Sequence, residues 1–257
     1  MSVTFEKVKI RKTSYLVVFM ALMASIYLAG TTSAHAYTKY HHEKKKTPVV
    51  SNTKTQFKSV KIDNLDIFYR EAGNAENQTI VLLHDLSSSS HMYRNLIPHL
   101  ARNFHVIAPD YPGSGNSTQT ENGEYEYSFD TISRSMEKFL DRVGEKKYTL
   151  YLAGKGAPIG FRLAAKYPER IEGLIIQDGN AYDEGLQDYW MPIKAYWNNK
   201  SSQNAEIVKD TFISNEAIKN QYLKSAGNNA SLINPDSWNS DIAFLNRSGN
   251  KDIQLEL

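Results

Sequence analysis

Residues 148–169, YTLYLAGKGAPIGFRLAAKYPE, can fold in few ways. The first six are apolar and β-prone, the length of one strand. Gly154-Lys155-Gly156 then permits a bend that residues carrying a Cβ resist. Pro158 falls where a first helical turn needs no N–H. Ile159, Phe161 and Leu163 follow among small Gly160, Ala164 and Ala165, while Arg162 and Lys166 share an outer face. The reading is strand, abrupt turn, and a helix able to lie close on a sheet.

The rest of the chain repeats that alternation. Residues 57–62 and 65–70 read as two strands joined at Asp63-Asn64. TIVLLH at 79–84 is continuously apolar, as in a parallel strand covered on both faces. A helix is predicted over 91–103, a strand over 104–108 and a helix over 127–143, the last with Phe129, Ile132, Met136, Phe139 and Leu140 on one face. A strand over 173–177 follows. Strands and helices alternating at this spacing predict an α/β fold with a mostly parallel sheet. From 182 onward the character changes. Short helices rich in Trp and Tyr are predicted at 186–199, 203–213, 215–226 and 235–247.

The chain's 257 residues suffice for one sizeable core. A net charge of +2 gives no argument for a nucleic-acid partner, and with no cysteine there is no disulfide, thiolate chemistry or Cys-ligated metal. Lys7, Lys9, Arg11 and Lys12 precede an apolar run over 15–30 and then Ala34-His35-Ala36. This pattern predicts a signal peptide, residues 1–36, cleaved after Ala36, and hence export to the periplasm or medium. The run is short for a stable membrane span. Residues 37–56 read as a polar tether; its adjacent His41 and His42 lack further metal ligands, and no cofactor is expected.

The stretch at 148–169 resembles the nucleophile elbow of α/β-hydrolases, in particular the haloalkane-dehalogenase and epoxide-hydrolase-like branch, whose elbow runs D-Y-G-A-P-x-G-x-R-L-A. Gly156-Ala157-Pro158, Gly160 and Arg162-Leu163-Ala164 match it. His84-Asp85-Leu86 resembles the H-G-F oxyanion segment, Asp110 to Ser117 the next family loop, and Gln177 to Leu186 the lead into the cap. The likeness runs over 57–257. It implies an α/β-hydrolase core at 57–181 and a helical cap region at 182–257. It also implies that the chain stops before the last two core strands and the terminal helix, which leaves the sixth strand as an exposed edge open to self-association.

The same resemblance implies a hydrolase of small haloalkane, epoxide or ester substrates, and it locates the departures. Gly154 stands at the nucleophile position without a side chain. Lys155 and Leu86 would offer the oxyanion N–H groups, but Asp85 replaces a glycine there, and its charge would oppose an oxyanion. None of the seven histidines follows the elbow. His84 reads as a structural hydrogen-bonding residue of the oxyanion turn, and Asp178 is a possible acid at the end of the sixth strand. Trp190, Trp197 and Trp238 either line a pocket or pack the cap on the core. Lys155, shifted by one in the elbow, reads as a solvated side chain or else a desolvated nucleophile. Ser114 and the serines at 87–90 lack a base. The expectation is a catalytically silent chain: a pseudoenzyme with a small-ligand pocket, or the remnant of a disrupted frame.

Overall fold

Asp63 turns the chain with φ +52°, and this lets β1 (Gln56–Ile62) fold back antiparallel on β2 (Leu65–Ala72), with Ile62 opposite Leu65. The structure, a computed structural model, describes residues 53–257 apart from 86, 121, 122, 187 and 225. The predicted signal segment and most of the tether lie outside the described residues. β3 (Thr79–Leu83), β4 (His105–Pro109), β5 (Tyr148–Ala153) and β6 (Ile171–Gln177) complete a six-stranded sheet in the order β1-β2-β4-β3-β5-β6. β2 meets β4 antiparallel, whereas β4, β3, β5 and β6 run parallel, as the alternating pattern predicts.

β3 shows why its sequence is apolar throughout. Successive side chains point to opposite faces. Val81 and Leu83 enter one core with Ile132, Met136, Phe139, Leu140, Ile159 and Leu163. Ile80 and Leu82 enter the other with Tyr93, Ile97, Val106 and Ala108. The first core is covered by α2 (Phe129–Val143) and α3 (Gly156–Lys166). The Ser128 side chain caps α2 by accepting the Thr131 N–H, and Gly144 ends that helix at φ +88°. Ser128→Ala is expected to cost about 1 kcal/mol, seen as a lower urea midpoint with an unchanged slope.

The single helix predicted over 91–103 is two pieces, a 3₁₀ turn at Ser90–Tyr93 and the short α1 (Leu96–Leu100). Pro98 has no N–H, and its ring excludes the carbonyl one turn earlier. The α-helix therefore begins just ahead of it, at Leu96 after the N-cap Asn95, and the proline falls in the first turn.

The four predicted cap helices are present as α4 (Met191–Asn198), α5 (Ser202–Phe212), α6 (Asn215–Lys224) and α7 (Asp236–Leu245). They share a core of Ile193, Tyr196, Val208, Phe212, Ile218 and Leu245. A further helix, α8 (Asn250–Glu256), was not foreseen. It ties the cap to the sheet: Asn250 Nδ2 donates to Gly113 O at 2.6 Å, and Gln254 Oε1 accepts the Ser87 N–H at 3.0 Å.

On β6, Leu174, Ile175 and Ile176 are 42%, 46% and 49% exposed, so the sheet presents an apolar edge there. At the opposite end of the parallel strands, His105 lies buried between carboxylates. Its Nε2 is 3.0 Å from Glu71 Oε1 and its Nδ1 3.2 Å from Glu145 Oε1. No helix among the described residues is long and apolar enough to cross a membrane.

Candidate active site

Gly154 makes the bend between β5 and α3 with φ +48°. Its N–H donates to Gln177 O at 2.9 Å, and its carbonyl accepts the Ala157 N–H at 3.0 Å. The small residues keep the helix on the sheet. A Cβ on Gly156 would lie 2.5 Å from Leu83 O, and one on Gly160 would collide with Leu152.

The space above Gly154 is filled. A Cβ at that position would lie 2.5 Å from Asp85 Oδ2 and closer still to Cγ and Oδ1. An aspartate growing from residue 154 would put its own carboxylate in this volume. Asp85 also accepts the elbow's N–H, from Lys155 to Oδ1 at 2.8 Å, and so lies at the positive end of α3. Sequence reasoning treated Asp85 as a charge intruding on an oxyanion site. In the structure it delivers a carboxylate to the elbow from the loop after β3, and it occupies the Lys155 N–H otherwise expected to meet an oxyanion. The second expected donor, Leu86, lies outside the described residues.

The loop carrying Asp85 is held from several sides. The His84 Nδ1–H donates to Asp85 O at 2.7 Å, and the Ser88 N–H reaches the same carbonyl at 3.3 Å. Ser87, at φ +60°, is fixed by Gln254 of α8. His84 itself is fully buried. Its Nε2 accepts the Tyr111 N–H at 3.2 Å, its ring stacks on Tyr111 at 3.8 Å, and the Tyr111 hydroxyl donates to His84 O at 2.9 Å. Burial pulls its pKa below the ordinary histidine value, with the nearby Asp110 charge opposing. With one ring nitrogen donating and the other accepting, this neutral imidazole has no position left for a water.

Lys155 differs from the solvated side chain expected at an exposed turn. It is half-buried, with Nζ 5.9 Å from the centroid of the Trp190 ring. Burial pushes its amine down to about 8, opposed by the Asp85 charge. Trp190 is thus brought beside the elbow, whereas Trp197 is exposed and Trp238 packs against the cap core. Asp178 is exposed at the end of β6, at φ +52°.

Between core and cap, beside Asp85, lies an open cavity of about 170 Å³. Asp85, Ser88 and Met92 line it from the core, and Ile218, Tyr222 and Asp241 from the cap. Asp241 is nearly inaccessible. Tyr222 Oη donates to its Oδ2 at 2.5 Å and Ser88 Oγ to its Oδ1 at 3.2 Å. Burial raises its carboxyl to about 6, against those two hydrogen bonds and with help from the Asp85 charge. Neither Asp241 nor Tyr222 carried a recognisable signal in the sequence, because both sit on unremarkable cap helices. A larger hollow of about 510 Å³, lined by Phe161, Arg162 and Tyr182, lies on the outer flank of α3. It contains no nucleophile, and Arg162 is committed to Asp130, so the smaller cavity is the chemically equipped one. Among the described residues no cluster of His, Cys, Asp and Glu could hold a metal.

A largely parallel sheet, a tight strand-to-helix elbow and a helical cap closing over it define a capped α/β-hydrolase. The family model for the alpha/beta hydrolase fold matches residues 78–215. An uncharacterized hydrolase of Saccharomyces cerevisiae is 41% identical over 220 residues, covering 81% of this chain and 72% of its own length. A haloalkane dehalogenase of Mesorhizobium japonicum is 36% identical over 110 residues, covering 43% of this chain and 34% of the dehalogenase. Among solved structures, Cfl2 of Burkholderia cenocepacia superimposes with a TM-score of 0.66 at 21% identity, covering 78% of this chain and 69% of that one. The chain belongs to the α/β-hydrolase superfamily, in its haloalkane-dehalogenase and epoxide-hydrolase-like branch.

Proposed function

We propose that this protein is an exported member of that branch which holds a small, partly apolar ligand of the haloalkane, epoxide or ester type in the core–cap cavity and does not turn it over. The observation that carries the reading is the elbow. Gly154 supplies no nucleophile, and among the described residues the histidine beside the elbow, His84, is locked in the neutral form by two hydrogen bonds. A covalent cycle of this branch needs a carboxylate to attack carbon and then a base to activate water. Here no histidine stands among the residues lining the cavity. The cavity itself is suited to binding, with apolar Met92 and Ile218 facing polar Ser88, Tyr222 and Asp241. Export rests on the basic, apolar and Ala-x-Ala segments at the N-terminus.

The test is a panel of haloalkanes, epoxides and p-nitrophenyl esters offered to purified protein. Ligand-observed NMR is expected to show saturable binding of small members of the panel, weakened in Ile218→Trp, which fills the cavity. Product is expected not to exceed one equivalent per chain. Sustained multiple turnover would overturn the silent reading.

A further inference from the structure

We propose that the core–cap cavity is a site for a small primary alkylammonium ion, with the cationic head against Ser88, Tyr222 and Asp241 and the chain on Met92 and Ile218. The inference goes beyond the neutral ligands named above and rests on the same reading that this cavity binds a small molecule. Its ground is the direction of the hydrogen bonds. The Tyr222 hydroxyl donates to Asp241 Oδ2 at 2.5 Å, and the Ser88 hydroxyl donates to Oδ1 at 3.2 Å. A hydroxyl has one proton and two lone pairs, so each of these oxygens has only lone pairs left to offer. Gln221, with an amide N–H turned to Phe212 O at 3.4 Å, is the mixed donor and acceptor of the lining. A primary ammonium carries three N–H donors and no acceptor, which complements such a wall.

The charge points the same way. Asp85 from the core and Asp241 from the cap both line the cavity, and none of the described lining residues is basic. Carboxylates on low-dielectric walls concentrate a field that draws cations in. The neighbouring cations are engaged elsewhere. Arg94 donates to His91 O at 3.2 Å and to Ser237 Oγ at 2.7 Å, and Lys155 offsets part of the Asp85 charge from outside the described lining. At about 170 Å³ the cavity is smaller than sites for drug-sized molecules, so the alkyl chain must be short. The groups facing Asp241 are Asp85, Ser88 and Arg94 from the core and Tyr222 from α6. Burial raises its carboxyl to about 6, so above that pH it is an anion that keeps both hydroxyl protons turned toward itself. Below about 6 it takes up a proton, and the site loses both a charge and its purely accepting hydroxyls.

The full chain is titrated with n-butylammonium chloride at pH 7.5, beside 1-butanol and sodium butyrate at equal ionic strength, and followed by calorimetry and ligand-observed NMR. One butylammonium per chain is expected to bind, at least about tenfold tighter than butanol, and butyrate not at all. Asp241→Asn is expected to weaken it by about tenfold or more, because the amide is neutral and its N–H groups release the hydroxyl protons toward the cavity. Tyr222→Phe should weaken it by roughly tenfold. In the native sequence the affinity should fall by about tenfold between pH 7.5 and 5, as Asp241 gains its proton. Should Asp241→Asn fail to fold, the pH series and Tyr222→Phe decide. Butanol binding as tightly as butylammonium overturns the inference. So does binding that ignores Asp241→Asn and pH, which would mark attraction to surface charge. Binding of haloalkanes or epoxides without butylammonium overturns it and leaves the earlier reading standing, whereas no binding of either class sinks both.

Discussion

Gly154→Asp, the substitution that writes the family nucleophile back into the elbow, is expected to destabilise this protein by about 2–4 kcal/mol rather than repair it. The new side chain would enter the volume held by Asp85, with a Cβ 2.5 Å from Oδ2 and two carboxylates in contact. It would also place a non-glycine residue at φ +48°, which adds to the strain. Asp85→Gly alone removes the acceptor of the Lys155 N–H at the start of α3 and should cost about 1 kcal/mol. The double variant exchanges the two residues and recovers the arrangement of the branch. It should be more stable than the sum of the singles predicts, by about 1–3 kcal/mol. Urea unfolding of the four proteins measures this coupling directly. Additivity within about 0.5 kcal/mol would show that the two positions do not compete for one space.

The second large effect is a loss of stability in mild alkali. Burial pulls the His105 imidazole down, but hydrogen bonds and charges from Glu145 and Glu71 outweigh it and push the imidazole up to about 9. The same contact holds Glu71 down to about 2. A histidine whose folded pKa lies above its unfolded value stabilises fully below about 6.5, and the contribution fades as pH rises through 9. A rise from 6.5 to about 9 corresponds to about 3 kcal/mol. The Glu71 shift describes the same interaction from the other partner, present above about 4.5 and lost as pH falls toward 2, so the two are not added. Unfolding free energy should therefore decline between pH 6.5 and 9.5 in the native sequence. In His105→Gln it should start lower and stay nearly level over that interval. Parallel pH curves for the two proteins would refute the assignment.

Much of this architecture was legible because local chemistry dictated it. Gly154, Gly156, Pro158 and Gly160 admit one tight strand-to-helix turn, and the continuous apolar run of β3 demanded cover on both faces. The hairpin at Asp63-Asn64 and the four cap helices followed from turn residues and apolar spacing in the same way. The helix over 91–103 was overextended because the apolar residues continue through Pro98, whereas the backbone N–H it lacks does not. α8 leaves no periodic signal, because its seven residues are too few to show a period. Asp85 was the deepest miss. Replacing a glycine with aspartate reads as a loss when only the oxyanion turn is considered. Its meaning depends on Gly154, far away in sequence, leaving room for the carboxylate, and only three-dimensional proximity couples the two. Lys155 was misjudged for a similar reason, since the ring that covers it belongs to the cap.

Gln254 gives α8 a mechanical role as well. It grips the backbone of Ser87, two residues from Asp85, while its neighbour Asn250 grips the turn at Gly113. Any displacement of α8 would pull on the same short segment that seats Asp85 on the elbow. Admission of a guest and the seating of Asp85 against α3 are in this way geared to each other.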